Sequence, residues 1–165
     1  MSRAFVKEVD DTTLEETPER VISEHPNFVT AYGRRLIEDC VRQLEQGRDA
    51  ARAADDAATL AHINRDLRYW QQRLASAKVI TPDPAPSKVR FGVTVALAFA
   101  SGVQRTYTIV GEDEADPAAG LISWVAPVAQ VLLGHQVGDE IELPDGKVEI
   151  AALSISVGLP GLVPG

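Results

Sequence analysis

Apolar positions change their period along the chain, and the changes divide it. From Thr30 onward Leu36, Ile37, Cys40, Val41 and Leu44 recur at spacings of three and four, one face of a helix. Thr30 is a suitable N-cap, with the apolar Val29 before it and good helix formers after it. A second stripe is more regular: Leu60, Ile63, Leu67, Trp70, Leu74 and Ala77 alternate steps of three and four, the seam of a coiled coil. Each stripe is too narrow to stand alone, and the short join predicts antiparallel neighbours, a hairpin. Its fold-back falls near residue 54, placing Ala53-Ala54-Asp55-Asp56 at the tip with Asp55 available to cap the second helix. Arms of about 22 to 24 residues are roughly 33 to 36 Å long.

Past the hairpin the period becomes that of strands. Thr81-Pro82-Asp83-Pro84-Ala85-Pro86-Ser87 is a stiff extended linker. Val89 to Ala100 and Val103 to Val110 flank the turn Ser101-Gly102, and Glu140 to Leu143 and Lys147 to Ser156 flank Asp145-Gly146, two hairpins. Between them Pro127 suits the first turn of a short helix, Val128 to Leu133 fill it, and Gly134 suits its end. The pattern predicts about four antiparallel strands with one short helix, in an α+β chain. Five segments result: an acidic, poorly structured N-terminal arm over 1–29, the antiparallel hairpin over 30–80, the linker over 81–87, the β-rich domain over 88–156 and a tail over 157–165.

Composition narrows the function classes. Hydrophobic residues are 45% of the 165-residue chain but aromatic ones only 5%, so the core rests on Val, Leu, Ile and Ala. There is no run of eighteen apolar residues and no apolar leader after Met1, so the expectation is a cytoplasmic protein with no membrane partner. The single cysteine, Cys40, makes neither an internal disulfide nor a zinc site and reads as a small apolar helix residue. The net charge of −8 is uneven, at −4 over residues 1–30, +2 over 31–78 and −6 over 79–165. Such a chain is ill suited to stable direct DNA binding, which depends on Lys and Arg neutralising phosphates, so a protein partner is expected. Arg34, Arg35, Arg42, Arg48, Arg52, Arg65, Arg68 and Arg73 make the hairpin basic; a solvated helix face explains them as well as a contact with acidic polymer does.

One long run points to a family: Tyr107-Thr108-Ile109-Val110-Gly111-Glu112-Asp113-Glu114-Ala115-Asp116, then Gly120, Ile122-Ser123, Pro127, Ala129, Leu132-Leu133-Gly134 and Val137-Gly138-Asp139-Glu140. It resembles the FKBP-like C-terminal domain of the GreA/GreB transcription elongation factors. The preceding hairpin, closing in Leu74-Ala75-Ser76-Ala77-Lys78-Val79-Ile80, is in the place where that family has its coiled coil. The resemblance covers roughly residues 28 to 156. It implies a bacterial accessory factor of RNA polymerase, not itself an enzyme, with the C-terminal domain at the rim of the secondary channel and the coiled coil inside it. In the cleavage factors, acidic residues at the coil tip help hold the polymerase's catalytic magnesium, which activates water for cleavage of backtracked RNA.

The chain departs from that pattern where the chemistry sits. The family's tip motif, Asp-Leu-x-Glu-Asn-x-Glu-Tyr, has no counterpart between Gly47 and Asn64, so no catalytic residue carries over. The hairpin is also shorter than the family's by about a dozen residues, which removes roughly 9 Å of reach, as in short-coil relatives such as the regulator of nucleoside diphosphate kinase. Trp124-Val125-Ala126-Pro127 occupies the loop that the resemblance implies touches polymerase, with Trp124 in the stretch where the family has Ser before the proline. The expected function is therefore a regulator at the secondary channel that modulates or competes with the cleavage factors. It has no cofactor of its own beyond the polymerase's Mg2+, should the tip reach it.

Alternatives remain at this point. Asp55 and Asp56 are weak metal candidates for a cleavage-stimulating tip, against simple helix capping. Glu112, Asp113, Glu114 and Asp116 lack an EF-hand spacing and read as a solvated acidic turn. His25, His62 and His135 lack ligand spacing. Tyr69 lies one step off the seam and reads as exposed, Trp70 as core. A peptidyl-prolyl isomerase needs an aromatic-lined pocket, yet residues 79–165 offer only Phe91, Phe99, Tyr107 and Trp124. An adaptor for another protein is the third alternative.

Overall fold

The structure, a computed structural model, describes residues 17–156. Most of the expected N-terminal arm, 1–16, and the tail over 157–165 lie outside the described residues. Thr30 caps the first helix, α1 (Ala31–Ala53), accepting from the Gly33 N–H at 3.0 Å. Ile37, Val41 and Ala51 are buried along its seam, and Leu67 faces them from the second helix, α2 (Ala57–Ser76). The two run antiparallel and pass closely at Gly47, where a β-carbon would lie 3.3 Å from Ile63 Cδ1. The turn lies where the sum of the two stripes puts it. Asp55 takes a left-handed backbone (φ 52°), and Asp56, not Asp55, caps α2.

Two short strands, β1 (Phe28–Val29) and β2 (Lys78–Val79), pair in parallel and tie the chain entering the hairpin to the chain leaving it. Periodicity has no signal for two-residue strands. Residues 28–29 of the expected poorly structured arm are thus a strand, and Asn27 beside them is buried.

The C-terminal part is a curled five-stranded sheet of β3 (Val93–Phe99), β4 (Gln104–Val110), β5 (Leu121–Ser123), β6 (Glu140–Leu143) and β7 (Gly146–Ile155), in the order β5-β4-β3-β7-β6. Val93, Val95 and Leu97 of β3 meet Ile109, Ile141, Val148 and Ile150 on one face, where α3 (Pro127–Leu132) adds Ala129 and Leu132. Pro127 opens α3, and Gly134 (φ +88°) follows its end.

Two strand expectations change. The first strand starts at Val93 rather than Val89, because Gly92 turns the backbone left-handed (φ +83°) and Val89 bonds to Gly134 and His135 instead of a strand. The sheet is mixed rather than wholly antiparallel: β4 and β5 are parallel, with Thr108 opposite Leu121. A parallel pair needs a crossover, and residues 111–120 supply it through two short 3₁₀ turns, Glu112–Glu114 and Pro117–Ala119. That crossover carries the acidic loop beyond the sheet and against the base of the hairpin.

Candidate functional site

Three places are marked by the sequence: the hairpin tip, the acidic loop and the Trp124–Pro127 loop. At the tip, Asp56 is committed to its helix. Its Oδ1 accepts from the Thr59 N–H at 3.0 Å and its Oδ2 from the Thr59 hydroxyl at 2.6 Å. These bonds, the hydroxyl's first, hold its pKa below the ordinary 3.8. Asp55 is exposed, and no side-chain hydrogen bond or ion pair involves it among the described residues. The tip thus presents one uncommitted carboxylate. Among the described residues no group of three or more His, Cys, Asp and Glu is placed to hold a metal ion.

Of the acidic loop, Asp116 is exposed as expected, but Glu112, Asp113 and Glu114 are not solvated. Glu114 is 5% exposed and lies against the N-terminus of α1. Its Oε2 accepts from the backbone N–H of Thr30 at 3.0 Å and of Gly111 at 3.1 Å, and its Oε1 accepts from the Thr30 hydroxyl. The helix dipole favours a carboxylate there. Gly33 makes the approach feasible, because a β-carbon on it would fall inside the Glu114 carboxylate; at Gly111 one would strike the Phe28 carbonyl. Glycine in the first turn of a helix is otherwise a cost.

Next to Glu114, Arg73 is 2% exposed, its Nε 2.5 Å from Asp113 Oδ2 and its Nη2 3.6 Å from Glu112 Oε2. The Tyr69 hydroxyl donates to Asp113 Oδ1 at 2.6 Å. Burial first, then this bond and the Asp113 charge, push the Tyr69 phenol up to about 12. Asn27 Nδ2 donates to the Arg73 carbonyl at 2.7 Å. Tyr69, expected to be exposed, and Arg73, grouped with the solvated arginines, are therefore parts of a polar joint between hairpin and sheet. Gly33 within a helical stripe is the available signal, since a helical glycine implies close packing. Nothing in the sequence pairs Arg73 with residues forty positions away.

The described stretch of the N-terminal arm lies along α2. The Arg20 guanidinium stacks 3.8 Å from the Tyr69 ring centroid and is 3.7 Å from Asp66, while Glu19 pairs with Arg68. Trp70, expected in the core, is half-buried, edge-on to Tyr69. Cys40 is half-buried as well, and burial raises its thiol pKa.

In the remaining loop Trp124 is half-buried, 5.0 Å from the Phe28 ring and 5.9 Å from His25. Its carbonyl accepts from Gln130 Nε2 at 2.6 Å. Val125 and Ala126 are half-buried and Pro127 is exposed. The loop is thus anchored through Trp124 to β1 and through Trp124 and Ala126 to the core of the sheet, and its outer surface is offered by Val125 and Pro127. His135 pairs with Asp139 at 3.1 Å, and no histidine joins a metal cluster among the described residues. No helix is long and apolar enough to cross a membrane among the described residues.

Residues 83–156 match the family model described as transcription elongation factor, GreA/GreB, C-term. The chain is 40% identical over 147 residues to the transcription elongation factor GreA of Desulfovibrio desulfuricans, covering 87% of each chain. That share exceeds residues 28–165, so the likeness extends into the residues before Phe28, further than the resemblance in the sequence reaches. Identity to the transcription elongation factor GreB of Neisseria meningitidis is 40% over 100 residues, 58% of this chain and 61% of that one. Among solved structures, a prokaryotic transcription elongation factor GreA/GreB from Nitrosomonas europaea is 27% identical, with 77% of this chain and 98% of that one covered and a TM-score of 0.38.

Proposed function

The chain belongs to the GreA/GreB family of transcription elongation factors, accessory to RNA polymerase, and on this basis we propose that it binds at the polymerase secondary channel and modulates or competes with transcript cleavage factors rather than driving cleavage itself. The observation that carries the reading is at the tip. Both oxygens of Asp56 are used in capping α2, which leaves Asp55 as the tip carboxylate with no side-chain partner among the described residues. Positioning a magnesium ion takes ligands about 2.1 Å from it in near-octahedral geometry. A single carboxylate at the end of a shortened hairpin is a poor means of doing so.

Docking is assigned to the Trp124–Pro127 loop, with Trp124 and Ala126 as its internal anchors and Val125 and Pro127 as its outer surface. In this reading the polar joint of Glu114, Thr30, Arg73 and Asp113 sets the direction in which the hairpin leaves the docked domain. The magnesium belongs to the polymerase, and this chain contributes occupancy of the channel.

The test is binding of the purified protein to core RNA polymerase, read by co-elution and by competition with a cleavage factor. The paired substitution Val125→Asp and Pro127→Ala is expected to weaken binding at least tenfold while leaving the thermal transition within a few degrees. Unchanged binding in that variant refutes the assigned docking surface.

A further inference from the structure

Residues 17–27 form neither helix nor strand, yet their side chains touch both halves of the molecule. Glu19 accepts from Arg68 through both carboxylate oxygens, and this bond lowers its pKa. Arg20 follows, its guanidinium 3.8 Å from the centre of the Tyr69 ring, 5.4 Å from that of Trp70 and 3.7 Å from Asp66. Further along, the His25 ring stands edge-on to Trp124, the anchor of the docking loop. Asn27 is buried, donating to the Arg73 carbonyl at 2.7 Å and to Ser76 Oγ at 3.2 Å. The segment thus runs from the middle of α2, past the polar joint, to the loop on the sheet.

Where it grips α2 matters. The joint holds the helix near its end, at Arg73, whereas Asp66 is seven residues nearer the tip, roughly 10 Å along the axis. A contact placed there opposes tilting with a longer arm. The helix has 20 residues and is about 30 Å long, so a tilt of about 10° at its base carries the tip roughly 5 Å. Arg20 also covers the ring whose hydroxyl bonds to Asp113, and a bond shielded from water is the stronger for it. Its two contacts therefore act on one link between hairpin and sheet.

We propose that residues 17–27 are a tie that fixes the direction of the hairpin over the docking loop, with Arg20 as its positioning residue acting through Tyr69. Exposed ion pairs of this kind add little to stability, so the tie governs direction and leaves the melting of the fold nearly unchanged. Its consequence at the polymerase channel rests on the docking reading above. The tie itself does not.

The test is the alignment of hairpin and sheet in the full chain, read from residual dipolar couplings of the amides of α1 and α2 against those of β3, β4 and β7. In the native protein one alignment tensor is expected to fit both sets. Arg20→Glu sets a like charge against Asp66 and takes the cation from Tyr69, and its hairpin couplings are expected to depart from the sheet's tensor. Arg20→Lys keeps the cation and is expected to restore the single fit, with the thermal transition of both variants within a few degrees of the native one. Arg20→Glu is also expected to compete about threefold less well with a cleavage factor, the scale of one exposed ion pair. A single tensor in Arg20→Glu overturns the tie. Equal departures in Arg20→Glu and Arg20→Lys assign the effect to packing and overturn the role of the cation, and departure with unchanged competition overturns the role at the channel. A native chain that does not compete at all refutes the docking reading, while the couplings decide the tie by themselves.

Discussion

Gly33 shows how a single residue is read differently in isolation and in place. On helix propensity alone, Gly33→Ala gains about 1 kcal/mol. Against that, the new β-carbon falls inside the Glu114 carboxylate and breaks up its bonds to Thr30 and Gly111. Overpacking of this kind costs about 1 to 3 kcal/mol before the lost hydrogen bonds are counted. Gly33→Ala is therefore expected to lower unfolding free energy by about 2 kcal/mol, and in a Glu114→Ala background to raise it by up to about 1 kcal/mol. Denaturant melts of the four proteins check the reversal of sign. Tyr69 gives a second residue-scale test. Its raised pKa means that the stabilisation it provides is fully present below the ordinary value near 10 and is lost as pH rises through about 12. In a phenolate absorbance titration a step near pH 12 is expected from Tyr69, and Tyr69→Phe removes that step. Its loss from any other tyrosine variant contradicts the Asp113 bond.

At the scale of elements, the hairpin is legible in the sequence because its stripes are long and regular. The spacing locates both arms and the fold-back to within a residue or two, and it places the Thr30 cap and the Pro127–Gly134 helix. The short strands β1 and β2, and the parallel pairing of β4 with β5, are not legible. Two residues carry no period, and strand direction depends on where a crossover leads rather than on side-chain pattern. The acidic loop reads as solvated for a related reason. Its composition is that of a surface turn, and its burial comes from Thr30 and Arg73, distant in sequence. The cap of α2 is testable on its own. Since Asp56 has a pKa held below its ordinary value, its contribution is present above that value and lost as pH falls through the depressed one. The protection factors of the amides over residues 57–60, with the intrinsic pH dependence of exchange divided out, are expected to fall on acidification below about pH 4, and Asp56→Ala is expected to show the lowered protection already at neutral pH. Protection factors that do not change with pH in the native protein contradict the cap.

For the whole molecule, the question is how far hairpin and sheet depend on each other. The buried apolar cluster from Val89 to Ile150 lies entirely within the C-terminal part. Residues 86–158 alone are therefore expected to fold, as measured by amide dispersion, with Glu114 and Asp113 released into water. In the full chain the joint matters more. Arg73→Met leaves Asp113 largely buried without its cation and is expected to cost about 3 kcal/mol, while in the isolated fragment the same carboxylate is solvated and harmless.

With the hairpin's direction set by the joint and one uncommitted carboxylate at its tip, the protein is expected to occupy the polymerase channel without supplying a metal-binding tip. The direct measurement is the rate of RNA cleavage in a backtracked elongation complex at neutral pH. The factor is added alone and beside an active cleavage factor, with Asp55→Ala and Asp56→Ala variants in parallel. Little cleavage is expected from the protein alone, with slower cleavage by the active factor when both are present and no dependence on either aspartate. Rapid cleavage by the protein alone that disappears in both variants contradicts this expectation and makes the two aspartates a catalytic tip.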